Sequence, residues 1–132
     1  MAQIAPFRGL RYNPRKIPDL KQVVIPPYDV ISADEQELFH RISPYNMVHL
    51  ELGRPTEEDG PENNPHTRAA EYLRQWQFED VLVRDPNPCI YHYELDYSLG
   101  SHTWQTRNGF ICALKLEDFS FGTVRPHERT FQ

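Results

Sequence analysis

The chain has 132 residues, a formal charge of −5 and 39% hydrophobic residues, which is typical of an ordinary single-domain globular protein. No apolar run approaches the roughly 20 residues of a membrane-spanning helix, so a spanning protein is excluded. The acidic charge disfavours a dedicated nucleic-acid-binding protein, because lysine and arginine supply most of the affinity for phosphate backbones. The first ten residues lack the apolar segment of a secretory signal, and this favours a cytoplasmic protein.

The two cysteines and the basic N-terminal residues each have a plain interpretation. Cys89 and Cys112 lie in strand-like segments without metal-ligand spacing, so two buried free thiols are favoured over a disulfide. Five basic residues cluster in the first 21 positions. A solvated basic segment is the favoured interpretation there, and a phosphate-binding surface is the alternative. These residues are Arg8, Arg11, Arg15, Lys16 and Lys21.

Two strands are predicted before the first helix. Residues 4–8 form a short edge strand, and the consecutive β-branched residues 23–25 form a strand buried on both faces. Pro26 and Pro27 end the second strand, because each proline removes a backbone donor and fixes φ. The chain then crosses directly from this strand into a helix.

A capping box marks the start of that helix. Ser32 and Glu35 are three residues apart and can satisfy the first free backbone amides, which predicts a helix over 33–42. Such a crossing can place ligand-binding groups beside a helix N-terminus, so Tyr28, Asp29 and Ser32 are candidate phosphate- or substrate-binding residues. The alternative is that Asp29 and Ser32 only cap the helix while Tyr28 packs beneath it, and caps are commoner than catalytic sites.

The middle of the chain predicts a strand, a loop and a second helix. Residues 47–52 alternate between polar and apolar side chains, which predicts a strand with His49 and Glu51 on its wet face. Residues 53–64 are acidic and rich in glycine and proline, and they predict a mobile loop. Asn64 and the following proline then begin a helix over 65–78. Its apolar stripe is predicted to be core: Ala69, Tyr72, Leu73, Trp76 and Phe78.

The first turn of this second helix offers another candidate contact. Thr67 and Arg68 could meet a bound phosphate, whereas a surface ion pair of Arg68 with Glu71 or Glu62 is the commoner arrangement.

The last part of the chain predicts a long antiparallel hairpin over 89–116, with a bulge at Asn108 and Gly109. The predicted fold class is therefore α+β: a mixed, mainly antiparallel sheet that includes this hairpin, with two helices packed on it. The order of the strands and the oligomeric state do not follow from one sequence.

The final polar tract contains the second group of candidate site residues. His127, Glu128 and Arg129 follow Pro126, and together they could present a carboxylate and a cation to one ligand, as proton abstraction beside a phosphate requires. The alternative is a frayed, charged terminus. In the functional interpretation, residues 29 and 128 converge on one anion-binding cleft.

Five segments, spread in order over the whole chain, resemble the N-terminal part of the prokaryotic domain-of-unknown-function family 1015. They are Pro6–Tyr12, Pro26–Ser32, Ser43–Asn46, Thr67–Ala70 and Pro126–Thr130. Members of that family are longer, and their later part carries an Asp-Gly-His-His-Arg motif. The chain ends before that motif, so the resemblance implies a truncated segment of a longer protein, incomplete relative to the family fold.

The family motifs are in turn similar to those of free-serine kinases built on the ParB and sulfiredoxin fold. That resemblance implies that Glu128 is a catalytic base toward a serine hydroxyl and that His127 contacts substrate or phosphate. It further implies ATP or ADP as the nucleotide, with Mg²⁺, and a small hydroxyl compound as substrate. The chain alone is expected to be inactive, and a nucleotide- or partner-binding module without catalysis remains the alternative.

Overall fold

The computed structural model describes residues 1–98, 100 and 103–125. These residues divide into two compact units. The helical unit comprises Leu10–Arg84, and the hairpin unit comprises Met1–Gly9 with the described residues from Asp85 onward.

The two predicted helices of the helical unit are confirmed. Helix α1 spans Ala33–Ile42 and helix α3 spans Pro65–Phe78. The Ser32 hydroxyl accepts from the Glu35 amide at 3.3 Å, and the Glu35 carboxylate accepts from the Ser32 amide at 2.9 Å. Asn64 accepts from the amides of His66 and Thr67, so both helices begin at the residues that the capping patterns indicate.

The predicted strand over 47–52 is wrong, because this segment forms a short helix, α2, over Val48–Glu51. The buried side chain of Asn46 explains the difference. Its amide nitrogen donates to the Gln22 carbonyl at 2.8 Å, and its oxygen accepts from the Val48 amide at 3.0 Å. Asn46 thus starts a helical turn that the alternating pattern conceals.

The predicted strand over 23–25 is also wrong. A single 3₁₀ turn at Leu20–Gln22 precedes it, and another follows at Tyr28–Val30. Val23 is 1% exposed, but Val24 is 51% exposed, so the segment is not buried on both faces as a central strand would be.

A small hydrophobic core stabilises the helical unit. Strand β2 (Leu10–Tyr12) pairs antiparallel with β3 (Leu82–Arg84). Trp76 of α3 is 1% exposed and lies in the core, as predicted, whereas Phe78 is 90% exposed, so its predicted burial is wrong. The buried core residues are Ile17, Val23, Trp76, Val81 and Leu82.

The hairpin unit contains the predicted long hairpin. Strand β4 (Tyr91–Ser98) pairs with β5 (Trp104–Ile111) residue for residue. Asn108 faces Glu94 and Gly109 faces Tyr93, so the predicted bulge is absent from this pairing. Strand β1 (Ile4–Ala5), within the predicted edge strand, pairs with β6 (Ala113–Leu114).

The fold class is α+β, as predicted, with helices and antiparallel strands in one chain. Within the described ranges, however, the strands form three separate two-stranded pairs instead of a single sheet. Both cysteines are free, but Cys89 is exposed and Cys112 only partly covered, so their predicted burial is wrong. None of the helices in the described residues combines the length and the apolar character needed to cross a bilayer.

Candidate functional site

Two histidines meet where α1 and α2 pack together in the helical unit. His40 lies near the end of α1 and His49 lies in α2. Their rings are nearly perpendicular, with centroids 4.5 Å apart, and their Nδ1 atoms are 3.2 Å apart. This contact, the histidine pair, exists because residues 48–51 are helical, whereas the predicted strand would have placed His49 on a wet face.

The outer nitrogen of each ring faces a backbone carbonyl. Nε2 of His40 lies 3.1 Å from the Leu52 oxygen, and Nε2 of His49 lies 3.2 Å from the Ser43 oxygen. A carbonyl oxygen can only accept, so each Nε2 donates to it in the tautomer that carries the Nε2 proton. Burial lowers the pKa of both imidazoles, and for His49 the neighbouring His40 lowers it further.

The histidine pair forms part of the wall of a small pocket of about 130 Å³. Two guanidinium groups line it from other elements. Arg54 forms a 2.6 Å ion pair with Glu37, and Arg68 forms a 2.7 Å ion pair with Asp59. We call it the histidine pocket, and its lining residues are His40, His49, Gly53, Arg54, Thr56, Pro65, Arg68 and Tyr72.

Arg68 fixes the loop 53–64 against α3. Its guanidinium donates to the Asp59 carboxylate at 2.7 Å, to the Asn63 side chain at 2.9 Å and to the Arg54 carbonyl at 2.7 Å. The ion pair expected with Glu71 or Glu62 is therefore replaced by one with Asp59, while Glu71 pairs with Arg74. The hydrogen bond from Arg68 also lowers the pKa of Asp59 to about 2.

A second concavity of about 320 Å³ lies in the same unit. Its wall is mainly apolar, with one carboxylate and one phenol, and it contains much of the proline-rich stretch. We call it the proline groove, and its lining residues are Ile25, Pro26, Pro27, Tyr28, Met47 and Glu51.

The short helix α2 contributes to both concavities. Met47 and Glu51 are four residues apart and share a helix face, which lines the proline groove. His49 lies about 200° around the helix from Met47 and lines the histidine pocket. The two candidate sites therefore lie on opposite faces of the same helical turn.

The sequence-predicted site residues fall in three places. Tyr28 is 62% exposed and lines the proline groove, with Asp29 exposed beside it. Ser32 is occupied by the cap: its amide and its hydroxyl both donate to the Glu35 carboxylate, which lowers the pKa of Glu35. Glu35 thus supplies the negative charge expected at that helix N-terminus. The third group, His127, Glu128 and Arg129, lies outside the described residues.

Sequence reasoning missed the histidine pair and gave Arg54 no role. The sequence places His40 on the predicted helix α1. His49 can be recognised as its partner only if the residues around it are predicted to form a helix instead of a strand. Asn46, at the end of a Ser-Pro-Tyr-Asn stretch, was the one local hint of such a turn.

Comparison with known families adds one finding. A family model described as a protein of unknown function (DUF1015) matches residues 4–132. The chain belongs to the DUF1015 family. No curated protein and no solved structure matches it significantly.

Proposed function

We propose that this DUF1015 chain binds a phosphate-bearing small molecule, with the phosphate in the histidine pocket. The observation that carries the proposal is the convergence of Arg54, Arg68 and the histidine pair on one small cavity. Guanidinium groups bind phosphate oxygens through charge-assisted and often bidentate hydrogen bonds, so the two arginines would supply the donors.

The size of the pocket supports a phosphate group as its occupant. Pockets that enclose drug-sized ligands typically measure about 300 to 1,000 Å³, whereas the histidine pocket measures about 130 Å³. A phosphate would fit within it while the rest of the ligand remained outside. The Arg54 side chain is 44% exposed, so its guanidinium can exchange Glu37 for an entering anion at low cost.

The finer proposal is that the full-length protein is a nucleotide-dependent small-molecule kinase. Its support is the resemblance of the Pro-His-Glu stretch to that of free-serine kinases. In this proposal Glu128 orients and deprotonates the substrate hydroxyl, and His127 and Arg129 contact phosphate or substrate. Tyr28 and Asp29 would contact the substrate at the proline groove, which has the volume of a small-molecule site.

The described residues fit the phosphates of ATP or ADP better than they fit Mg²⁺. Mg²⁺ prefers oxygen ligands, whereas the described residues contain no group of three or more His, Cys, Asp or Glu side chains that could hold a metal ion. We therefore assign no Mg²⁺ ligand among them.

A binding module without catalysis is the second candidate, and the state of the pocket carboxylates favours it. Glu37 and Asp59, which pair with the pocket arginines, are each held at 2.6 to 2.7 Å by a guanidinium. For Asp59 the hydrogen bond from Arg68 lowers the pKa to about 2, so this carboxylate is a poor base. Nucleotide binding without turnover would support this candidate.

Phosphate binding is tested on the 132-residue chain with ATP, ADP and pyrophosphate as calorimetric probes. Arg54→Gln should weaken binding by about 10-fold to 100-fold, because a hydrogen bond to a charged group contributes about 1.5 to 3 kcal/mol. Arg74→Gln is the matched control, since Arg74 pairs with Glu71 on the exposed face of α3. Equal affinities for the two variants would refute the assignment of the pocket.

The kinase proposal is tested on the full-length protein by following ATP or ADP turnover with free serine. Glu128→Gln should lower kcat by about 10²-fold to 10⁴-fold, the contribution of a positioned general base. Unchanged turnover in this variant would remove Glu128 as the base. Ligand binding without any turnover would leave the binding module as the function.

A further inference from the structure

The proline groove has the opposite electrostatic character to the histidine pocket. Among the described residues that line it, the one carboxylate belongs to Glu51, and none is a lysine, an arginine or a histidine. Asp29 lies exposed beside Tyr28 and adds a second carboxylate next to the groove. Because opposite charges attract and like charges repel, a cationic ligand complements this surface and an anion does not.

Glu51 offers its charge without a competing partner. Within the part of the chain that the structure describes, its carboxylate forms no ion pair and accepts no hydrogen bond. Glu37 and Asp59, by contrast, are each held by an arginine. An ammonium group can therefore donate to Glu51 without displacing a cation of the protein, and such a charge-assisted bond is stronger than one between neutral groups.

The side chains that line the groove offer few hydrogen-bond donors. Pro26 and Pro27 have no amide hydrogen, and the side chains of Ile25 and Met47 have no polar hydrogen. The Tyr28 hydroxyl is the one side-chain donor among the described lining residues. An ammonium group brings N–H donors of its own, and the face of the Tyr28 ring can attract its charge. The wall therefore suits a ligand that donates hydrogen bonds.

The apolar part of the wall favours an organic cation over an inorganic one. Mg²⁺ and Ca²⁺ need several oxygen ligands, whereas the lining side chains include one carboxylate. The apolar surface instead favours an alkyl or aryl group, because covering both surfaces removes them from water.

The groove is also preformed. Pro26 and Pro27 fix their own φ angles. The Val30 amide donates to the Pro27 carbonyl at 3.1 Å, and the Met47 amide donates to the Val23 carbonyl at 2.8 Å. Both segments that line the groove are therefore held by backbone hydrogen bonds, and a preformed site loses less conformational entropy when it binds a ligand.

We propose that the proline groove binds a small organic amine, with the ammonium group on the Glu51 carboxylate and the apolar body against the two prolines and Met47. The groove measures about 320 Å³, near the lower end of the range for small-molecule sites, so an amine with one ring or a short alkyl chain matches its size. The inference deepens the assignment of this groove as a substrate site. It rests on that assignment but requires neither turnover nor phosphate in the histidine pocket.

The test follows Met47 in the 132-residue chain by NMR with ¹³C-methyl methionine. The chain has two methionines, and Met1 is exposed, so its signal is an internal control. The probes are benzylamine, benzyl alcohol and benzoate, which share one ring and are a cation, a neutral molecule and an anion at pH 7. Benzylamine should shift the Met47 signal and leave that of Met1 unchanged. It should bind about 5-fold to 30-fold more tightly than benzyl alcohol, and benzoate should bind more weakly than either.

Glu51→Gln keeps the size of the side chain and removes its charge. It should lower the affinity for benzylamine to about that for benzyl alcohol. Glu58→Gln is the matched control, because it removes an equal charge from an exposed position in the loop 53–64, and it should keep the preference for benzylamine. The absence of a Met47 shift with benzylamine, equal binding of the three probes, or an unchanged preference in Glu51→Gln would overturn the proposal.

Free amines and lysine side chains share the same ammonium chemistry, so Nα-acetyl-lysine methylamide is a second arm of the test. Tighter binding of this compound than of benzylamine would overturn the assignment to a small molecule and indicate a lysine of a protein partner. Amine binding without any turnover by the full-length protein would support this inference and refute the kinase proposal, so the failure of one is distinguishable from the failure of the other.

Discussion

Asp59 and Arg68 form an ion pair that holds the acidic loop 53–64 against helix α3, with 2.7 Å between the carboxylate and the guanidinium. Their side chains are only 20% and 29% exposed, whereas those of Glu71 and Arg74, on the same helix, are 67% and 68% exposed. Solvent and salt screen an exposed pair strongly, so the first pair should contribute far more to stability than the second.

The Asp59 pair predicts an acid-sensitive contribution to stability. The hydrogen bond from Arg68, aided by bonds from Thr56, lowers the pKa of Asp59 to about 2 from its ordinary 3.8. Since the folded pKa lies below the unfolded one, the stabilisation is complete above about pH 4 and disappears as the pH falls toward 2. Asp59→Asn should lower Tm at pH 7 and remove this acid dependence, as measured by thermal melts across that range.

Glu71→Gln is the control for this prediction, because it removes a carboxylate of equal charge from the exposed Glu71–Arg74 pair of helix α3. It should change the free energy of unfolding by less than about 0.5 kcal/mol. An Asp59→Asn variant with an unchanged acid profile would show that the loop is held by its other hydrogen bonds.

Ser32 is the site residue for which structural and binding roles can be separated. Its hydroxyl accepts from the Glu35 amide, so Ser32→Ala should cost about 1 kcal/mol of stability through the lost cap. Ser32→Asn, which retains a capping oxygen, should restore most of that loss. If Ser32 also binds phosphate, the asparagine variant should be stable yet bind pyrophosphate more weakly; equal binding would leave Ser32 as a cap only.

The parts of the fold that the sequence predicted are those specified by short-range chemistry. Helices α1 and α3 begin at Ser32 and Asn64, whose caps are visible as residue patterns. The first strand of the hairpin alternates over eight residues, long enough for its period to be clear.

The parts that could not be predicted depend on distant contacts. Residues 47–52 alternate over too few positions to distinguish a strand from a helical turn, and the deciding contact joins Asn46 to Gln22, which is 24 positions away. The histidine pocket depends on the same contact, since α2 must form before His49 can meet His40. The contact between Arg68 and Asp59 likewise depends on the conformation of the loop 53–64. The composition of the loop does not specify that conformation.

Trp76 is the residue on which the core of the helical unit most depends. It is 1% exposed and packs against the rings of Tyr12, Tyr45, Tyr72 and His49. Trp76→Ala should cost about 3 to 5 kcal/mol, because it removes a large buried side chain and leaves a cavity. Denaturant unfolding measures this loss. Trp104→Ala is the control, because Trp104 is 71% exposed. A comparable loss of stability in this variant would mean that another surface covers the Trp104 side chain in solution.

Tyr12 predicts a loss of stability in alkaline solution. Burial raises the pKa of its phenol to about 12, and its hydroxyl donates to the Tyr45 carbonyl at 2.7 Å. The folded pKa lies above the ordinary 10, so the stabilisation is complete below pH 10 and disappears between about pH 10 and 12. Tyr12→Phe should lose about 1 kcal/mol at pH 8 but become less sensitive to alkali. Tyr28→Phe, which changes an exposed ring, should retain the parent profile.

Gly9 and Tyr91 form a close contact in the hairpin unit that excludes a side chain at position 9. The Gly9 amide donates to the Tyr91 hydroxyl at 2.7 Å, and this hydroxyl donates to the Asp85 carboxylate at 2.6 Å. A Cβ at position 9 would lie 2.8 Å from the same hydroxyl oxygen, closer than real contacts allow. Gly9→Ala should therefore cost about 1 to 3 kcal/mol through overpacking.

A double-mutant cycle tests the cause of that loss. Tyr91→Phe removes the hydroxyl that meets the new Cβ, so Gly9→Ala should cost clearly less in the Tyr91→Phe background than in the parent chain. Gly60→Ala is the control for backbone effects, because a Cβ at position 60 meets nothing within 4 Å. Strictly additive costs for Gly9→Ala and Tyr91→Phe would show that the loss does not arise from the tyrosine hydroxyl, and would leave the Tyr91 ring carbon Cζ, 3.0 Å from the new Cβ, or the backbone at position 9 as its cause.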